Sequence, residues 1–149
     1  MFKKSIFLAI SILLLVFGSA LAGQLWVSNS LPSRFDTGVG IGQAMKTSKV
    51  PLLVEFYSDT CGACQRVAPW IHNLSETEFK NRLTPVMLNV DDPEIMSIAK
   101  LFGVNSLPAV YVFDTHHQRM KKYPITPEQM VSESELKKSL ETVVQQVNG

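Results

Sequence analysis

Two cysteines are all that the sequence contains, and no second Cys-x-x-Cys pair or His-x3–5-His spacing accompanies them. A structural zinc site needs four ligands, usually two such pairs or a pair with spaced histidines. The other candidates are His72, on the segment that follows the cysteines, and the adjacent His116 and His117. No metal is therefore expected, and each histidine reads as an exposed polar residue. Covalent haem is excluded too, because Gln65 stands where that attachment requires histidine. Charge of one sign is also missing: 14 Lys and Arg face 13 Asp and Glu, a net charge of +1. That balance offers no footprint for nucleic acid or an anionic membrane surface. Lys121-Lys122 and Lys137-Lys138 are too short for charge runs and read as solvated faces. Internal repeats and low-complexity segments are absent. The glycines of "DTGVGIG" have no clear strand before them and no Gly-Lys-Ser/Thr after them, so they read as a helix-entry loop and not as a phosphate loop.

One long apolar run is present. Lys3 and Lys4 precede Ile6 to Phe17, and the small residues "GSALAG" follow, which is the order of a secretory signal with an A-x-A site at Ala20-Leu21-Ala22. Residues 1–22 are expected to be a signal peptide cleaved after Ala22. The competing reading is an uncleaved membrane anchor over residues 6–22, close to the roughly 20 residues that span a bilayer. In either case the remaining chain is expected to be exported, periplasmic or extracellular. Residues 23–149 then form a single domain, large enough to bury about two-thirds of its surface.

"VPLLVEFYS", Val50 to Ser58, is continuously apolar and not alternating, as in a strand covered on both faces. Val67, Ala68, Ile71 and Leu74 recur at helical spacing, with Pro69 inside the pattern predicting a kink. A strand at Val86 to Val90 leads to a helix with Asp92 as N-cap and Pro93 at its first position. Ile95, Ile98, Ala99 and Phe102 make the stripe of that helix, and Gly103 its stop. "PAVYVF" and "QRMKKYP" flank the turn "DTHH" as a hairpin with a more exposed second strand. At the C-terminus Leu136, Leu140, Val143 and Val147 share a helical face, capped by Ser132 or Ser134. With a short helix in "IGQAMKTSK", the order is α-β-α-β-α-β-β-α, an α/β fold with a central mixed sheet flanked by helices.

The cysteines lie in "TCGAC", where the first strand ends and the next helix begins. A plain disulfide is possible in an exported chain, yet Cys61–Cys64 closes so short a loop that the chain-entropy gain is only about 2 kcal/mol. At a helix start, unpaired N–H groups and the helix dipole favour a Cys61 thiolate. Cys64, one turn further in, should be more buried and more protonated. Attack by Cys61 and resolution by Cys64 follow. Glu55 is the one ionisable group in the apolar strand, and burying a lone carboxylate costs several kcal/mol unless it is paired or protonated. A raised pKa would let it take the proton from Cys64; an acid at a partly wet strand position is the alternative. Pro108 opens the strand of "NSLPAVYV", and its peptide with Leu107 is open to the cis form.

"LLVEFYSDTCGACQRVAP", "VMLNVDD" and "FGVNSLPAVYVF" together resemble the thioredoxin superfamily over roughly Lys46 to Asn148. The resemblance implies a thioredoxin fold and thiol-disulfide oxidoreductase activity with no cofactor beyond a redox-active Cys61–Cys64 disulfide. It makes Cys61 the attacking and Cys64 the resolving cysteine, Glu55 the buried carboxylate, Pro69 the helix-kinking proline and Pro108 the cis-proline that presents substrate backbone. Leu107, Thr60, Gly62 and Ala63 join Pro108 as substrate-contacting positions. Thr60 stands where thioredoxin has tryptophan, Ala63 where it has proline, and Met87 where a lysine usually neighbours the buried acid. "YPITPEQMV" is an extra segment before the last helix. The N-terminal pattern and "KVPLLVEFYSDTC" are similar to exported members, which implies protein thiols or disulfides as partners and a membrane protein as electron donor. A disulfide-donating oxidase, and a redox-inactive module that binds proteins beside Pro108, remain as alternative functions.

Overall fold

Residues 40–115 and 121–148 are described by the computed structural model. The expected signal peptide or anchor, and His116 and His117, lie outside them. Among the described residues no helix is long and apolar enough to cross a membrane. The elements are α1 (Ile41–Thr47), β1 (Leu52–Tyr57), α2 (Gly62–Glu76), β2 (Thr84–Asn89), α3 (Pro93–Leu101), β3 (Ala109–Phe113), β4 (Lys122–Ile125), a 3-10 turn (Pro127–Met130) and α4 (Glu133–Asn148). The sheet has four strands in the order β2-β1-β3-β4. β1 runs parallel to β2 and antiparallel to β3, and β4 is antiparallel to β3.

β1 is wholly buried, which explains its continuous apolar run: helices cover both faces of the sheet. Successive side chains point to opposite faces. Leu52, Val54 and Phe56 pack with Ile41 and Ala44 of α1 and Ala99 of α3. Leu53 and Tyr57 pack on the other side with Val67, Ala68 and Ile71 of α2 and Leu136 and Leu140 of α4.

Local signals set the ends. Asp92 caps α3 by accepting from the Glu94 N–H at 2.8 Å, with Pro93 at the first position. Beyond α3, Gly103 adopts a φ of +71°, the left-handed conformation that glycine allows at a helix stop. Ser132 proves to be the cap of α4, accepting from the Glu135 N–H at 3.3 Å. The buried face of α4 includes Val144 beside Leu136, Leu140 and Val143. α2 continues through Pro69 as one helix.

Of the expected second strand, β4 covers Lys122–Ile125 while Gln118 to Met120 lie outside the described residues, and the Asp114 N–H donates to the Lys121 carbonyl at 3.1 Å. Pro124, which cannot donate, then sits on the edge strand, where it is tolerated. One expectation is corrected: His72 is half-buried, not exposed, because it borders the apolar stripe of α2 next to buried Ile71.

Candidate functional site

Cys61 and Cys64 form a disulfide, with Cα atoms 5.3 Å apart. Cys61 is the N-cap residue of α2 in an extended conformation, and its Sγ accepts the Cys64 N–H at 3.2 Å. The sulfur thus occupies the place where a capping oxygen would sit, facing the positive end of the helix. Cys64 is 1% exposed, whereas Cys61 is half-exposed. The pair is therefore asymmetric, with Cys61 partly buried at the edge of the core and Cys64 inside it.

Glu55 is fully buried, on the same face of β1 as Leu53 and Tyr57, whose cluster includes Cys64. Its strand neighbours in register are Met87 and Val110, both apolar. Neither carboxyl oxygen accepts a hydrogen bond from a described residue. Burial accordingly pushes its pKa up to about 8. The partly wet alternative does not hold, and at neutral pH this side chain is predominantly protonated.

Leu107–Pro108 is a cis peptide. It lines a groove of about 660 Å³ together with Ala63, Arg66, Val67 and Trp70 of α2 and Pro127, Met130 and Val131 from the region before α4. Ala63, Leu107 and Pro108 are therefore brought together beside the disulfide, with Gly62 exposed at the start of α2. Thr60 does not line this groove. Its hydroxyl lies 3.0 Å from that of Ser58, and its N–H donates to the Ser58 Oγ at 3.3 Å.

Sequence reasoning missed the contacts made by Ser58. Its hydroxyl donates to the Asp91 carboxylate, with both oxygens at 2.9 Å, and the Asp59 N–H donates to the same carboxylate at 3.2 Å. The Ser58 carbonyl in turn accepts the Cys61 N–H at 3.1 Å. The loop that delivers Cys61 is thus tied to the turn after β2. Also missed was the 3-10 turn, which begins with a capping box: Gln129 Oε1 accepts the Thr126 N–H at 2.8 Å, with Pro127 at the first position. The spacing Thr-Pro-Glu-Gln is the readable signal for it. Among the described residues no group of His, Cys, Asp and Glu could hold a metal ion.

A Cys-x-x-Cys disulfide at a helix N-terminus, in a mixed sheet flanked by helices, defines a thiol-disulfide oxidoreductase. The family profile described as Thioredoxin matches residues 39–142, and the chain belongs to the thioredoxin family, which acts on protein disulfides. It is 33% identical to thioredoxin 1 of Chlorobaculum tepidum over 93 residues, covering 62% of this chain and 89% of that protein. It is 38% identical to the chloroplastic M-type thioredoxin of Chlamydomonas reinhardtii over 66 residues, 44% of this chain and 45% of that one. The solved structure of oxidised thioredoxin O2 from Arabidopsis thaliana shares the fold, with a TM-score of 0.55 at 20% identity, covering 69% of this chain and 85% of that chain.

Proposed function

We propose that this protein is an exported reductase of protein disulfides, in which Cys61 attacks, Cys64 resolves and Glu55 manages the proton. The observation that carries this reading is the asymmetry of the pair: a half-exposed Cys61 at the helix cap, and a buried Cys64 in the cluster that adjoins Glu55. In the reduced protein, the Cys61 thiolate attacks one sulfur of the substrate disulfide. That bond breaks, the first substrate thiolate leaves, and a mixed disulfide forms. Cys64 gives its proton to the ionised fraction of Glu55, the minority form at neutral pH given a pKa of about 8, and attacks the Cys61 sulfur. The mixed disulfide breaks, the second substrate thiolate leaves, and Cys61–Cys64 is oxidised. Two electrons pass to the substrate, whose thiolates take up two protons. The pair then needs a dithiol donor, which we assign to a membrane protein that carries reducing equivalents outward. Support for export is the basic, apolar and small-residue order of residues 1–22.

Trapping tests the scheme. Cys64→Ser in the full chain should accumulate mixed disulfides with exported proteins; their absence there, with or without cytoplasmic adducts, overturns the exported reading. The direction of exchange is read from the reduction potential against glutathione. A value near about −270 mV fits a reductase and one near about −120 mV a disulfide donor, whereas a pair that does not exchange leaves only a binding module.

A further inference from the structure

The groove beside Pro108 extends beyond what disulfide exchange itself requires. Ala63, Leu107 and Pro108 belong to the reacting end, but the same wall continues to Trp70 of α2 and to Met130 and Val131. The second pair is delivered by the 3-10 turn and the residue after it. Met130 is anchored in the core at 8% exposure, and the Thr126–Gln129 capping box fixes the start of the turn. Val131, by contrast, is 68% exposed and Trp70 half-buried. A lone exposed valine is unremarkable on a surface. One joined to an indole in the same concave wall forms an apolar ledge held in place before any partner arrives.

We propose that this ledge is a second subsite, taking a large apolar side chain such as Phe or Leu from an extended segment of the protein whose disulfide Cys61 attacks. The inference rests on the proposed reductase reading. Continuity with the reacting end argues for one occupant. In an extended chain, residues two apart point the same way about 6–7 Å from each other, so a segment with its cysteine at the disulfide offers its next like-facing side chain to the adjoining wall. Among the described residues Arg66 is the only charged one lining the groove, so the segment is neutral or acidic and not basic. Because the ledge is preformed, burying the guest side chain costs no ordering of the turn.

Two short peptides test this on the full-length protein. Each carries one cysteine in a mixed disulfide with thionitrobenzoate, and either Phe or Ser two residues away on both sides. Reduced protein should react with the Phe peptide with a kcat/KM about tenfold higher, equivalent to about 1.4 kcal/mol. Val131→Asp should bring the two rates together, and Leu101→Asp, an 86% exposed position on α3, should leave the preference intact. Equal rates in the unmodified protein, or a preference that survives Val131→Asp, overturn the subsite. Val131→Ser gives the same reading if the aspartate variant fails to fold. Glutathione disulfide is assayed in parallel: if it and both peptides are inert, the reductase reading has failed. The subsite is then read by fluorescence anisotropy with labelled peptides bearing Ser in place of Cys. Weaker binding of the Phe peptide to Val131→Asp than to the unmodified protein supports it, and no such difference overturns it.

Discussion

The two faces of β1 are built from alternate residues of one strand, yet they do different work. On the α1–α3 side, Leu52, Val54 and Phe56 meet an uncharged, aromatic-rich core in which Phe102 and Phe113 stack edge-on at 5.3 Å and Phe56 lies 5.9 Å from Phe102. On the α2–α4 side, the middle position is Glu55, and the cluster beyond it includes the buried disulfide cysteine Cys64. One face is optimised for burial, while the other keeps an ionisable group in the sheet at a cost in stability. The comparison suggests that this fold can tolerate a destabilising reactive face because the opposite face of the same strand is purely apolar.

The cost can be measured. With a folded pKa of about 8 against an ordinary value of 4.5, the native state holds a proton that the unfolded state releases. Stability should therefore fall as pH rises from about 4.5 to 8, by about 5 kcal/mol in all, and level off on either side. Glu55→Gln should flatten that slope in denaturant titrations run across the range, while slowing exchange at neutral pH by on the order of 10²-fold. A slope that persists in the variant would assign it to other groups.

Next in size is the opposite face. Phe56→Ala should cost about 3–5 kcal/mol through lost burial and the cavity it leaves, with the pH slope of Glu55 retained. If that slope disappears, the two faces are coupled and the contrast between them is wrong.

A smaller effect is expected at the loop joining them to chemistry. Ser58→Ala removes the donor to Asp91 and should lower the melting midpoint by about 1 kcal/mol equivalent, with a change in the Cys61–Cys64 potential as the sign that the loop positions the sulfur. An altered midpoint with an unchanged potential would make Ser58 structural only. The smallest effect belongs to Arg82–Glu141, a two-bond pair at 2.8 and 3.0 Å whose side chains are about 40% exposed. A double-mutant cycle on it should give no more than about 1 kcal/mol, decreasing with added salt.

These contrasts were unequally legible in the sequence. The two-sided burial of β1 followed from its unbroken apolar run, and Asp92-Pro93 marked the start of α3. Glu55 stood out because it is a charge where the pattern allows none, and the cysteines because their spacing fits a helix start. Ser58–Asp91 could not be read, since the partners lie 33 residues apart, beyond the reach of any local motif; only the parallel register of β1 and β2 puts their ends side by side. The placement of Met130 and Val131 depended likewise on how the 3-10 turn folds back toward α2. Its Thr-Pro-Glu-Gln spacing went unread, and the wall the turn completes with Trp70 is a property of the assembled chain.

The reactive ring closes between residues three apart, within the first turn of a single helix and with no second element drawn in. The bond that changes in exchange therefore lies at the head of one helix, and neither the sheet nor the groove supplies an atom to it. Such a molecule carries its reactive bond as a small self-contained ring, a cartridge seated at the head of α2.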